Sequence, residues 1–247
     1  MARALSFDPA RVELELRTLP EIELKGIFRR SSNYTFLAEL ADPASGSRML
    51  AVYKPAQGES PLWDFPPGSL YRREVAAYRL AGFLGWPRIP PTVVREAAPH
   101  GVGAMQMYVQ ADPALHYLTS GAEPRELWLP VALFDVLANN ADRKSGHCLT
   151  DDEGAVWVID HGLTFHAEPK LRTVMWDFAG ERLTPRLRRD LRRAHTALQE
   201  GELRTALRGL LGRRELAALG ERLAAAADPS WKMPLPDSSW SVPWPPV

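Results

Sequence analysis

Residues 139–165 read NNADRKSGHCLTDDEGAVWVIDHGLTF, and this stretch decides the fold. A polar loop carries Asp142. An apolar, β-branched run, VWVI, ends at Asp160 and is followed by Gly162. Between the two carboxylates the pattern predicts a hairpin: His147–Thr150, a turn over Asp151–Gly154, then Ala155–Ile159. A hairpin holds its ends together, so Asp142 and Asp160 are expected to face one site. Two converging carboxylates suit one proton acceptor and one ligand for a hard divalent cation.

Upstream, residues 19–56 read as strands. Glu21–Phe28 and Tyr34–Leu40 alternate about a polar turn, Arg29–Asn33, and Ser47–Tyr53 delivers Lys54 at its end. Pro55–Ser69 is rich in Pro and Gly and is expected to be loop. Leu70–Leu84 places apolar residues at helical spacing, and Gly85-Trp86-Pro87 stops it. Thr92–Arg95 and Gly103–Val109 complete a small sheet. Downstream, Trp128–Asn139 predicts an apolar helix leading into the Asp142 loop. Thr184–Leu198, Gly201–Leu211 and Arg213–Ala226 predict Arg-rich amphipathic helices with a solvated charged face. Asp228–Val247, with Trp231, Trp240 and Trp244 among prolines, is expected to lie across the surface as extended chain with its Trp rings in grooves.

The totals bound the function. The chain has 247 residues, 45% of them apolar, and formal net charge zero, so nucleic acid is not an expected partner. No membrane span and no signal peptide are read. Cys148 is the only cysteine, which excludes an intrachain disulfide and a cysteine zinc cluster and fits a reducing, cytoplasmic setting. Of 30 basic residues only Lys25, Lys54, Lys144, Lys170 and Lys232 are Lys. In so Arg-biased a chain each Lys marks a place where a compact ammonium suits and a planar fork does not.

Candidate site residues follow. Ser31, Ser32 and Asn33 lie in a turn whose hydroxyls and N–H groups suit a phosphate cradle. Lys54, at the end of a sheet strand, is placed to reach nucleotide phosphates, and Glu74 on the next helix to hold its ammonium. Asp142 would accept or orient the proton of an incoming hydroxyl. Arg143 and Lys144 would stabilise charge on a transferred group. Asp160 would bind the metal that bridges the phosphates.

At these residues the chain resembles the phosphatidylinositol 3-/4-kinase-like branch of the protein-kinase-like fold, bacterial actinomycete-type members above all, over roughly residues 20–200. That family's catalytic loop has the form D-R-x-x-x-N, which Asp142-Arg143 begins. Its type II metal motif, I-D-N-G-L-A-F, is matched by IDHGLTF at Ile159–Phe165. Its nucleotide lysine corresponds to Lys54 at the end of Ala51–Lys54, and its helix glutamate to Glu74. The resemblance implies an adenine-binding strand at Met105–Val109, with Met107 and Val109 as contacts. It places His147 at the position of the metal-binding Asn, so His147 and Asp160 form the expected metal pair.

The expectation is an α+β, two-lobed protein-kinase-like fold: an N-terminal lobe, residues 1–109, of antiparallel sheet plus one helix, and a mostly helical C-terminal lobe, residues 110–247. The expected cofactors are ATP and Mg²⁺ or Mn²⁺, and the expected activity is phosphoryl transfer to a small-molecule or protein hydroxyl. Departure of His147 from Asn keeps a nucleotide-binding pseudokinase open. AMP transfer on the same fold and metal-dependent phosphoester hydrolysis are further alternatives.

Overall fold

The computed structural model describes residues 8–28 and 33–247. The chain divides into two compact units. The first runs to Tyr71 and resumes over Pro90–Tyr108; the second comprises Arg72–Ile89 and Val109–Val247. Residues 72–89 therefore group with the helical unit and not with the sheet.

The first unit is a helix, α1 (Pro9–Thr18), on an antiparallel sheet of β1 (Glu21–Ile27), β2 (Phe36–Asp42), β3 (Ser47–Pro55), β4 (Thr92–Arg95) and β5 (Gly103–Met107). The strand order is β1-β2-β3-β5-β4. Two-residue alternation buries Ala51, Tyr53 and Pro55 on one face of β3. With Leu16, Leu19, Ala38, Leu40, Val93 and Met105, Ala51 and Tyr53 make this unit's core. Val12, Leu16 and Leu19 recur at helical spacing on α1 and its C-cap and pack into this core. The ends of α1 are specified chemically: the Asp8 side chain accepts from Ala10 N, Pro9 opens the first turn, and Arg95 of β4 donates to the carbonyls of Leu16 and Leu19 at 3.1 and 2.8 Å.

Gly103 is required by packing. It pairs with Pro55 across β3 and β5. A Cβ built there would lie 2.7 Å from Pro55 Cα, 2.8 Å from Tyr53 Cε2 and closer still to the Lys54 carbonyl oxygen. The absent side chain lets β5 press on β3 where Lys54 emerges, opposite Ala104. The strand ends at Met107, whose N–H turns to Pro91 O at 2.9 Å, while Tyr108 N–H still reaches Leu50 O at 3.1 Å.

The second unit is mostly helical. Its part of α2 (Leu70–Leu84) is followed by α3 (Tyr117–Ser120), α4 (Arg125–Ala138), the hairpin β6 (Cys148–Thr150) and β7 (Val156–Val158), then α5 (Pro185–Glu200), α6 (Glu202–Leu207) and α7 (Arg213–Ala227). Helix α4 is apolar on most of its circumference and buries Trp128, Leu129, Val131, Leu133, Phe134 and Leu137. Each such side chain contributes about 1.5–3 kcal/mol of transfer free energy. Leu187, Leu191, Ala194 and Leu198 form the inner stripe of α5, and Leu219 and Leu223 that of α7. The Pro/Trp tail differs from expectation: Trp231 packs against this core, but Trp240 and Trp244 are 78% and 85% exposed. Backbone bonds hold the tail instead, from Ser241 O to Thr173 N at 2.9 Å and from Pro246 O to Ser145 N at 2.8 Å. Among the described residues no helix is long and apolar enough to cross a membrane.

Candidate active site

The Asp142 loop begins where α4 ends. Asn139 caps that helix in the left-handed region, φ 50° and ψ 52°. Its amide donates to the carbonyls of His166 and Glu168 at 2.9 and 2.6 Å and accepts from Lys170 N at 2.8 Å. Asn140 donates to Asp135 Oδ1 at 2.9 Å, and its own side-chain oxygen accepts from Asp142 N at 3.0 Å. The two asparagines thus tie the loop to the segment after Phe165 and to the interior of α4.

Beneath the loop lies a buried ion pair. Arg143 Nε contacts both oxygens of Asp135 at 3.0 and 3.1 Å, and both side chains are 0% exposed. The guanidinium also donates to Ile159 O at 2.7 Å and meets His161 Nε2 at 2.8 Å. Thr173 Oγ1 donates to Asp135 at 3.4 Å. Arg143 therefore fastens the loop to the strand that delivers Asp160, with its charge enclosed in the interior. Asp135 was not singled out in the sequence, although a carboxylate inside WLPVALFDVLA, seven residues before Asp142, is the signal that finds it: such a group is buried only with a partner.

The hairpin does what its ends require. Cys148 pairs with Val158, Leu149 with Trp157 and Thr150 with Val156. Ile159 N–H bonds His147 O at 2.9 Å, extending the register by one step. That step puts the side chains of His147 and Asp160 together, Nε2 to Oδ2 at 3.3 Å. The Asp151 carboxylate closes the turn by accepting from Glu153 N, Ala155 N and Trp157 Nε1. Asp160 adopts φ 60° and Phe165 φ 61°; with Asn139 they are the non-glycine residues at positive φ among those described.

Asp142 is partly buried, its side chain 30% exposed, with Lys144 Nζ 3.4 Å from Oδ2. Burial raises its carboxyl above the ordinary aspartate range; the nearby Asp160 adds to the rise, while Lys144 and Arg172 oppose it. Glu74, 3% exposed, accepts from the backbone N–H of His161 at 3.0 Å. It so holds the turn after Asp160. Neighbouring Arg73, 2% exposed, donates to Thr164 O at 2.6 Å and pairs with Glu215. Ser145 is fully buried and bonded by His116 Nδ1 at 2.7 Å and Leu118 N at 2.8 Å.

The sequence-predicted residues thus distribute as follows. Asp142, Arg143, Lys144, His147, Asp160 and Glu74 all belong to the second unit, and the first five are brought together around the loop and hairpin. Lys54 and Met107 lie in the first unit on β3 and β5, and Val109 just inside the second. Asn33 accepts from Ser60 N at 2.7 Å, joining the turn to the Pro55–Ser69 loop. Ser31 and Ser32 lie outside the described residues. Among the described residues no group of three His, Cys, Asp or Glu forms a metal cage. The Asp160 side chain, 48% exposed, nonetheless suits Mg²⁺ or Mn²⁺, which take one or two carboxylates and complete their shell with phosphate and water.

No protein-family model matches the chain. Phosphatidylinositol 4-kinase gamma 2 of Arabidopsis thaliana is 27% identical over 181 residues, 54% of this chain; the match spans 33% of that protein. Among solved structures, hydra Fam20 with sugar aligns at TM-score 0.53 and 17% identity, covering 91% of this chain and 89% of the other. A Helicobacter pylori proinflammatory kinase, CtkA, aligns at TM-score 0.46 and 12% identity over 85% of this chain and 92% of that one. The architecture is α+β and protein-kinase-like. Protein Rv2133c of Mycobacterium tuberculosis is 38% identical over 261 residues, covering 91% of this chain and 92% of that one. The chain belongs to the family of that mycobacterial protein.

Proposed function

We propose that the protein transfers the γ-phosphoryl group of ATP to a hydroxyl acceptor, as the resemblance to phosphatidylinositol 3-/4-kinases suggests. The observation that carries this is the paired placement of Asp142 on a braced loop and Asp160 at the end of the hairpin beside it. Asp160 would hold a divalent ion, which when bound neutralises phosphate charge. Lys54 would hold the nucleotide's α- and β-phosphates, and Met107 and Val109 would contact adenine. Ser31, Ser32 and Asn33 would complete the phosphate cradle.

Asp142 orients the acceptor hydroxyl and takes its proton as the new O–P bond forms and the β–γ bridging O–P bond breaks. A carboxyl raised by burial is a stronger base than an exposed one, which favours this role. Lys144, 3.4 Å from Asp142, would place positive charge beside the phosphoryl group in transfer, where negative charge has to be stabilised. Arg143 acts as a positioning residue, since its guanidinium spans Asp135 and Ile159 O and fixes the Asp142 loop against the Asp160 strand. Most of the rate in such chemistry comes from placement and charge neutralisation.

The test is nucleotide binding and turnover followed by mass spectrometry, in Mg²⁺ and in Mn²⁺, for the wild type, Asp160→Ala and Asp142→Asn. Metal-dependent ATP binding lost in Asp160→Ala, with ADP as product and turnover lost in Asp142→Asn, is expected. AMP as product identifies nucleotidyl transfer instead. Bound ATP that is never turned over identifies a binding module, the reading favoured by His147 at an Asn position. No nucleotide binding with either metal overturns the proposal.

A further inference from the structure

The sequence expectation made His147 a metal ligand. We propose that His147 is instead a hydrogen-bond donor that orients Asp160, and that its imidazole does not bind the metal; this rests on the kinase reading of the same site.

Two contacts bear on the tautomer of the ring. Lys144 N lies 3.3 Å from His147 Nδ1. A backbone N–H only donates, so Nδ1 must present its lone pair. In a neutral imidazole the proton then sits on the other nitrogen. That nitrogen, Nε2, lies 3.3 Å from Asp160 Oδ2 and donates to it. Ligation through Nε2 needs a lone pair there. Moving the proton to Nδ1 would set it against the Lys144 N–H, donor against donor, and cost that contact. The backbone enforces this arrangement from both sides: His147 closes the single 3₁₀ turn Ser145–His147, and its carbonyl accepts from Ile159 N at 2.9 Å. The usual relation, in which a carboxylate orients a metal-bound histidine, is inverted: here the histidine orients the carboxylate. Oxygen-preferring Mg²⁺ loses nothing by this, because its preferred ligand is the group being aimed.

Two measurements decide it. In the metal-free protein, ¹⁵N shifts of the His147 ring report the tautomer, and the Nε2–H form is expected. With Mn²⁺ and a non-hydrolysable ATP analogue, electron spin-echo modulation detects directly bound imidazole nitrogen, and none from His147 is expected. Variants give a third readout. His147→Gln puts an amide donor near the Nε2 position and is expected to keep Mn²⁺–nucleotide affinity within about threefold, whereas His147→Ala loses about 10–100-fold, the range for removing an orienting partner. An Nδ1–H tautomer, an imidazole signal on Mn²⁺, or a Gln variant as weak as the Ala variant overturns the proposal. If the protein binds no nucleotide, the phosphotransferase reading falls, and the tautomer still decides the part His147 plays toward Asp160.

Discussion

Removal of one member of the Asp135–Arg143 pair should be among the most damaging single changes in the second unit. Both side chains are 0% exposed, with Nε to carboxylate distances of 3.0 and 3.1 Å. Arg143→Met leaves the Asp135 carboxylate in the interior with only Asn140 and Thr173 as side-chain donors. Breaking a buried pair from one side costs about 3–5 kcal/mol, because the remaining charge is uncompensated. For a protein of this size about 2–4 °C of melting temperature corresponds to 1 kcal/mol, so a fall of roughly 6–20 °C is expected. The double variant Asp135→Leu/Arg143→Met removes both charges and should recover a large part of that loss. Thermal unfolding followed by circular dichroism measures all three. An Arg143→Met protein melting within 2 °C of wild type, on a scale where ~1 kcal/mol moves the midpoint by at least that much, would refute the claim that this pair braces the loop. A double variant no better than the single would show that the damage comes from lost hydrogen bonds to Ile159 and His161 and not from an orphaned charge.

Other consequences are smaller or more local. Asp142→Asn should lower turnover by about 10²–10⁴-fold while ATP binding persists, measured by coupled assay and calorimetry. Because the Asp142 carboxyl is raised by burial and must be ionised to act, the acid limb of kcat/KM should lie above the ordinary carboxylate range, and Lys144→Met, which removes an opposing positive charge, should move that limb to higher pH. The Cys148 thiol, fully buried and pushed up to about 12, should resist iodoacetamide at neutral pH in the native protein and react after denaturation, as intact mass will show. Gly103→Ala should cost about 1–3 kcal/mol in urea unfolding, since its Cβ would meet the backbone at Lys54 and Pro55; an unchanged midpoint would mean that β3 yields there.

Much of this architecture is legible in the residues, and the reason differs by element. Leu70–Leu84 and Thr92–Arg95 have the limits the pattern predicts: helical spacing closed by Gly85-Trp86-Pro87 in one case, and the short β-branched run Thr92-Val93-Val94 in the other. The hairpin is legible because its turn residues and β-branched strands agree, and the proximity of His147 and Asp160 follows from its register. Helix α1 is legible only in part: Val12, Leu16 and Leu19 keep helical spacing, but the run is short, and Arg95, more than seventy residues away, meets the carbonyls at its end. The inward arginines were hidden. Arg73, Arg143 and Arg222 look like the surface arginines around them, yet Arg222 donates to Leu137 O at 2.7 Å, and burial pulls its pKa down to about 10. No local pattern separates a solvated guanidinium from one that caps a distant helix; only the tertiary fold does.

The backbone itself marks the same place as the carboxylates. Asn139, Asp160 and Phe165 have φ of 50°, 60° and 61°, and each lies at a junction of the site: the end of α4, the end of the hairpin, and the end of IDHGLTF. For a side chain as large as Phe such a conformation is unfavourable by about 1–3 kcal/mol and persists only where neighbours over-determine it. Those neighbours are present. Phe165 is fully buried and its N–H bonds Ala138 O at 2.5 Å; the turn after Asp160 is held by Glu74 and by Thr164 Oγ1, which donates to His161 O at 2.6 Å. Asn139 holds the far side through three bonds to residues 166–170. A relaxed turn at Asp160 would let the carboxylate rotate away from His147 and follow the strand outward. Holding it in the left-handed region instead turns the chain sharply after Ile159, so that one residue's side chain meets the hairpin partner while the next residue's N–H is bonded by α2. Asp160→Gly and Asp160→Asn separate these effects. Glycine keeps the backbone and removes the carboxylate, and asparagine keeps the shape and removes the charge. If both lose metal-dependent ATP binding while both retain the wild-type melting temperature, the strained turn serves ligand binding and not stability.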